Sequence, residues 1–312
     1  VNECIYKTQT RFLFHSHIKI KIPKEYGIDV FDALFRVMEE VDRRYNSYRV
    51  GSYFQRINQY AGHFVEVDDE TVRMLKTIIS FSSFFEGKYD ITIMPLLRLW
   101  GFYNKEARRV PSLSELQSMR ALVDYRNIEI AGNYVRIKKG QETITGSFIK
   151  AFAVDKLKEK MKVFGITHAI INAGGSTITA INNDIHRTWQ INVGKLEDKE
   201  RSFLLNLSNQ CFSTSEQVTS QIDINGKKYG HILNPTTGYP SSNKRVGIIT
   251  DSCFLGDILS TGLLNETPAD FLYKTEMLSR YYKVDGFLID DRNEMYYTPQ
   301  FLSKYKTKTM SI

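Results

Sequence analysis

The chain of 312 residues holds only three cysteines, Cys4, Cys211 and Cys253. They are few and far apart, so neither a disulfide framework nor a metal knuckle is indicated. No apolar run is long enough to span a bilayer. The start carries no secretory signal, which leaves a removed leader or lipid anchor open. Tandem repeats and low-complexity segments are absent. There is no recognition helix, zinc finger or aromatic RNA-binding signature, so nucleic acid is not the expected partner. The formal net charge is +7, and the Lys and Arg are scattered except in the tail "SKYKTKTM". Such a diffuse balance suits an anionic ligand or an acidic partner. Hydrophobic content is 42% and charged content 25%, enough apolar material for one large domain or two modest ones.

What is present is a mixture of helix and strand patterns. "HIKIKI" (17–22) alternates and reads as a strand. Asp29 is a plausible N-cap for a helix with Phe31, Leu34, Phe35, Met38 and Val41 on one face. A second helix follows Asp69. Residues 102–122 are polar, contain Pro111 and read as a connecting excursion. "NIEIAGNYVRI" reads as a hairpin around Gly132 and Asn133. A third helix covers about 147–164, and "HAIINAGGSTITAI" reads as a buried strand interrupted by Gly174 and Gly175. "VGIIT" leads into a helix near 255–264, and Thr267-Pro268 is a good helix start. No strict βαβ rhythm runs through these elements. The expected class is therefore α/β or mixed α+β rather than a doubly wound sheet.

Several short stretches depart from core-and-surface patterning. "NSYRVGSYFQRIN" (46–58) is polar and aromatic just after a helix. Asp90 sits among apolar residues, where a carboxylate needs hydrogen-bond partners. Gly146 and Ser147 open a helix whose N-terminus offers free N–H groups to an anion, with Lys150 at the same end. "NAGGS" lets the backbone approach a ligand, or marks a β-bulge. Asp257 and Thr261 are four apart and share a helix face. A carboxylate and a hydroxyl so placed can hold a hard cation such as Mg²⁺, or simply bond each other. In "GHILNPTTGYP" (230–240) Pro235 and Gly238 make a tight loop that presents His231. Together these features suit a phosphate ester or pyrophosphate.

The same stretches resemble the ApbE-like FAD:protein FMN transferases, in that family's order along the chain. Tyr48, Ser52 and Asn58 fall in its first segment. "KYDITIMPLLRLWGF" and "HILNPTTGYP" carry the most specific likeness. "VDYRNIEI", "AVDKL", "INAGG", "STS" and "DILSTGL" follow in register, over roughly residues 14–290. The resemblance implies a single domain over 1–312, with about 14–140 and 141–300 as candidate lobes, and a ligand cleft between two α/β lobes. It implies FAD as substrate and Mg²⁺ held by Asp257, Thr261 and the carbonyl of Ser147. FMN would pass to a Thr of an acceptor protein, a subunit of a membrane redox complex, with release of AMP. Tyr48, Asn58, Lys88, Tyr89, Asp90, Lys150 and Ile232 would line the FAD site. His231 and Asp257 would be catalytic. The expected location by likeness is extracytoplasmic, periplasmic or membrane-anchored.

The chain also departs from the family pattern. Phe14-His15-Ser16 stand where the family has Met-Gly-Thr. Ile144 replaces an acid, Ala151 a glycine, and Glu216 follows Thr214-Ser215 where the family has glycine. A side chain at Glu216 is expected to crowd the site and oppose a phosphate. Three alternatives to the transferase follow: a non-catalytic flavin or nucleotide binder, an FAD pyrophosphatase, or a scaffold with an empty cleft.

Overall fold

Alternation in "HIKIKI" does what a period of two requires: Ile18, Ile20 and Ile22 are all fully buried on one sheet face. The computed structural model describes residues 5–103, 109–194, 203–218, 220–304 and 306–309. Cys4, parts of the 102–122 excursion and part of the basic tail lie outside them. The sheet built on that strand has eight members: β1 (Tyr6–Leu13), β2 (Ser16–Pro23), β3 (Ala169–Ala173), β4 (Thr177–Ile181), β5 (Cys211–Glu216), β6 (Arg245–Thr250), β7 (Asp285–Ile289) and β8 (Met295–Tyr297). They pair in chain order, every pair antiparallel. Such a sheet can have each face covered by a different kind of layer.

Helices cover one face. They are α1 (Ile28–Tyr45), α2 (Tyr53–Gln59), α3 (Asp69–Phe84), α4 (Met94–Trp100), α5 (Leu113–Arg120), α6 (Ile149–Val163), α7 (Cys253–Leu264) and α8 (Pro268–Ser279). The main core lies between the sheet and α1, α3, α6 and α7, around Phe31, Phe35, Phe85, Phe148, Leu259 and Leu263. The opposite face buries Phe212, Phe287 and Ile249 against strands Trp189–Val193 and Phe203–Leu207. A third cluster centres on Trp100, with Leu96, Leu116 and Leu233. The mixed α/β class is as expected. Among the described residues no helix is long and apolar enough to cross a membrane.

Several local expectations need correction. Asp29 does not cap α1. Gly27 occupies that position in extended conformation, and Asp29 sits in the first turn, where a negative charge still favours the helix dipole. The polar stretch after α1 contains α2, capped by Ser52, whose hydroxyl accepts from Gln55 N at 3.1 Å. The excursion contains α5, started by a reciprocal cap between Ser112 and Glu115. Gly174 and Gly175 do interrupt the run, as a turn and not as a bulge. They are the turn of the β3–β4 hairpin, at φ 69° and 75°. Another hairpin turn, between β1 and β2, places Phe14 and His15 at φ 52° and 56°, a region that usually calls for glycine or asparagine.

The largest correction concerns cysteine. Cys211 of β5 and Cys253 at the start of α7 form a disulfide, both fully buried, with Cα atoms 5.4 Å apart. Their separation of 42 residues hides the pairing in the sequence, because the fold alone brings strand and helix together. Closing a loop of that length is worth about 2–4 kcal/mol. Replacing both cysteines by alanine should lower unfolding stability by about that amount. Urea titration of the oxidised protein against the double variant measures it, and coincident curves would count against the assignment.

Candidate functional site

Helix α7 is the element on which the site is built. Its N-terminus is held by the Asp155 carboxylate of α6, which accepts from Ser252 Oγ, Cys253 N and Phe254 N at 2.8, 3.0 and 2.9 Å. Two glycines let it lie close to its neighbours. A Cβ at Gly256 would stand 2.6 Å from Ser213 Oγ, and one at Gly262 would stand 2.5 Å from the Phe85 ring. The face turned to β5 carries Asp257 and Thr261, as the four-residue spacing requires.

Asp257 is buried and accepts from Thr177 Oγ1 at 2.9 Å. Burial pushes its carboxyl from 3.8 up to about 6, against the field of Lys150 and its hydrogen bonds. Thr261 Oγ1 donates to Asp257 O at 2.9 Å and meets Ser215 Oγ at 3.2 Å. Ser213 Oγ, beside Gly256, is buried, and its hydroxyl favours the charged form of Asp257. The Lys150 ammonium donates to Ser176 Oγ at 2.5 Å. Burial lowers the Lys150 pKa, and Asp257 opposes that shift. Tyr89 OH lies 3.3 Å from Ser147 Oγ. Its phenol is raised chiefly by burial and, more weakly, by the charges of Asp257 and Asp90. Ser147, Lys150, Tyr89, Asp257 and Thr261 thus share one neighbourhood. A hollow of about 410 Å³ lies at the two hairpin turns, lined by His15, Ser16, Gly174 and Gly175 among others. A Cβ at Gly174 would come within 2.7 Å of Ser16 Oγ and 3.4 Å of Lys150 Nζ, so the turn glycine brings the backbone close to the site.

His231 stands on a separate loop. Its N–H donates to Ser220 O at 3.0 Å, and its Nδ1 lies 3.2 Å from the same oxygen. A carbonyl only accepts, so Nδ1 carries the proton and Nε2 keeps its lone pair. Burial lowers the imidazole pKa from 6.5, with Ser220 and Glu216 opposing. The ring is neutral at pH 7. Among the described residues His231 shares no hydrogen bond with Asp257 or Thr261; strand β5 connects the two groups. Ser213 adjoins Gly256, Ser215 meets Thr261, and Gln217 bonds the Ile232 carbonyl at 2.7 Å.

The remaining expected residues turn toward protein groups. Asn58 closes on Thr143, donating to its O and accepting from its N, both at 2.8 Å. Lys88 Nζ bonds the fully buried Glu266 carboxylate at 2.5 Å, whose other oxygen takes Lys274 at 2.7 Å. Asp90 accepts from Thr92 N, Thr92 Oγ1 and Tyr125 N at 2.8, 2.7 and 2.7 Å, and burial still raises it to about 6. Tyr48 stacks on Tyr103 with centroids 5.7 Å apart, and His15 meets its edge. Ile232 packs against the main core. Ile144 lies against the Trp100 cluster. Glu216 does not stand as an unmatched charge. It pairs with Arg245 directly across the strands, with Arg245 Nε at 2.7 Å, and strand alternation turns it away from Ser213 and Ser215. Thr177 and Gln217 were not anticipated, and Ser176, Ser213 and Ser215 were noted only as parts of the "NAGGS" and "STS" stretches, with no role of their own. The signal available in the sequence is the alternation of Ser213, Ser215 and Gln217 along and just past β5.

Comparison with known proteins matches this arrangement to one family. The sequence model of the ApbE family matches residues 14–279. This chain belongs to the ApbE family. A relative from Vibrio cholerae serotype O1, named FAD:protein FMN transferase, is 30% identical over 238 residues, 73% of this chain and 71% of that one. A protein of the same name from Buchnera aphidicola subsp. Schizaphis graminum is 25% identical over 258 residues, 79% and 76% of the two chains. The crystal structure of the ApbE protein of Thermotoga maritima superposes with a TM-score of 0.89 at 22% identity, covering 97% of this chain and all 100% of that one. The apo flavinyl transferase ApbE of Pseudomonas stutzeri gives 0.83 at 21% identity, with 98% of each chain covered. The ApbE fold is therefore shared over nearly the whole chain.

The raised Asp257 carboxyl has a stability consequence. Its folded-state pKa lies above the usual 3.8, so its contribution is fully present below that pH and is lost as pH rises through about 6. Near pH 7.5 the ionised form costs about 3 kcal/mol. Asp257→Asn should therefore raise the urea midpoint at pH 7.5 in metal-free buffer, with the gain fading near pH 4. A midpoint at pH 7.5 unchanged or lowered would contradict it.

Proposed function

We propose that this ApbE-family chain is a Mg²⁺-dependent flavin transferase that moves FMN from FAD to a Thr side chain of an acceptor protein, releasing AMP. The observation that carries the reading is the buried Asp257–Thr261 face, joined through β5 to a histidine with a free Nε2. In this reading the cation is held by hard oxygens: the Asp257 carboxylate, the Thr261 hydroxyl and the carbonyl of Ser147, whose hydroxyl lies 3.3 Å from Tyr89 OH. That set suits Mg²⁺. A buried carboxyl raised to about 6 is a group that a cation would settle in its charged form. Among the described residues no three His, Cys, Asp or Glu gather to hold a metal. Mg²⁺ held at this face would supply neutralisation of the charge on the pyrophosphate of FAD.

The chain's own residues supply the rest. His231 Nε2 takes the proton of the acceptor hydroxyl as that oxygen attacks the FMN phosphorus. The phosphoanhydride bond to AMP breaks, and AMP leaves with the bonding electron pair. Lys150, at the start of α6, offers positive charge to the same end of the site. Tyr48 offers a ring face for the flavin. Asn58, Lys88 and Asp90 act by fixing the walls through Thr143, Glu266 and Tyr125. The acceptor in this reading is a subunit of a membrane redox complex, and the protein works outside the cytoplasmic membrane. The buried Cys211–Cys253 bond supports that location, since disulfides persist in oxidising compartments.

Purified protein with FAD, Mg²⁺ and a Thr-bearing acceptor should give a fluorescent covalent adduct and stoichiometric AMP. Free FMN without adduct would point to a pyrophosphatase instead. His231→Ala should slow transfer by about 10²–10⁴-fold. In the intact protein the rate should fall as pH drops through the His231 pKa, below 6.5. A His231→Ala variant with an unchanged transfer rate would remove His231 as base.

A further inference from the structure

The loop that carries His231 is fastened by one side chain, and that side chain is Gln217. Gln217 follows β5 directly, and its own N–H donates to Lys244 O at 3.0 Å, which ties it to the strand beside it. Its amide Nε2 donates to Ile232 O at 2.7 Å and to Ser241 O at 3.3 Å. Those two carbonyls stand at the two ends of the "ILNPTTGYPS" loop, already closed by Ser241 N on Ile232 O at 2.9 Å. The other amide atom, Oε1, is buried with no hydrogen-bond partner. It lies against Gly230, where a Cβ would come within 1.7 Å of it. Gln217 is 7% exposed. One buried side chain therefore touches the residue before His231, the residue after it and the far end of its loop.

We propose that Gln217 is a positioning residue for His231: it sets where Nε2 points by clamping the loop against the end of β5. The inference rests on the transferase reading only for its kinetic consequence. The geometry explains two features of the sequence. Residue 230 is glycine because the amide of Gln217 occupies the space of its side chain. Ser213, Ser215 and Gln217 alternate because one face of one strand serves both the cation-holding helix and the histidine loop. A rigid placement of this kind matters in phosphoryl transfer, where catalysis is largely positioning. The charged groups that face His231 are Glu216 and, through it, Arg245. Neither is altered by a change at Gln217.

Gln217→Met keeps the size of the side chain and removes both donors. Gln217→Asn, one methylene shorter, is the milder variant if the first does not fold. NMR titration of the His231 imidazole, assigned by difference with His231→Asn, should show its pKa moving up toward 6.5 and the Nδ1–H tautomer losing population. In the transfer assay kcat should fall by about 10–100-fold, with KM for FAD changed far less. An imidazole titration and tautomer identical to wild type in a folded variant would overturn the proposal. So would an equal loss in kcat and in KM-limited binding with the imidazole unmoved. The titration needs no substrate. Failure of the transferase reading appears as absence of adduct in every protein, whereas failure of the positioning role appears as an unmoved imidazole.

Discussion

The close apposition of α7 and β5 is the constraint on which the site depends. Strand and helix are joined covalently at one end by Cys211 and Cys253. Gly256 lets them meet at Ser213, and beyond it Ser215 touches both Ser260 and Thr261. Asp257 is consequently fixed in a place from which water is excluded. A longer side chain at residue 256 would lift the helix and let solvent reach the carboxylate. The same strand then runs on into Gln217 and the histidine loop, so one contact sets the positions of two otherwise separate groups.

Three buried acids show how differently this fold treats negative charge. Glu266 sits between Lys88 and Lys274, a neutralised arrangement that locks the end of α7 to the turn after α3. Asp90 is surrounded by two N–H groups and a hydroxyl, enough to satisfy its oxygens without a cation. Asp257 has the hydroxyl of Thr177 and the field of Lys150, whose ammonium bonds Ser176 instead. Of the three it alone is held by hydroxyls and a nearby ammonium rather than by backbone N–H groups or a direct ion pair, and burial still raises it to about 6.

Much of the architecture was legible because it is carried by local pattern. The period-two run of β2, the helical stripe of α1 and the Thr267-Pro268 helix start each declare themselves within a few residues. The Asp257–Thr261 spacing does so too, since one helical turn fixes their common face. What stayed hidden depends on contacts distant in sequence. The Cys211–Cys253 bond, the Glu216–Arg245 pair and the Lys88–Glu266 bridge span 42, 29 and 178 residues. Asp90 was legible as a carboxylate among apolar residues, and Asn58 and Lys88 through the resemblance alone. Their polarity could not say whether a ligand or the protein itself would satisfy them. Short helices α2 and α5 were missed because capping residues define them more than apolar periodicity does.

The β1–β2 turn carries a last implication. Phe14 and His15 both hold backbone angles that disfavour side chains by roughly 1–2 kcal/mol each. The hairpin nevertheless keeps rings there, and His15 reaches the edge of Tyr48, itself stacked on Tyr103. The turn thus joins a row of three rings, running from the hollow that His15 lines to Tyr103, rather than forming a bare glycine bend.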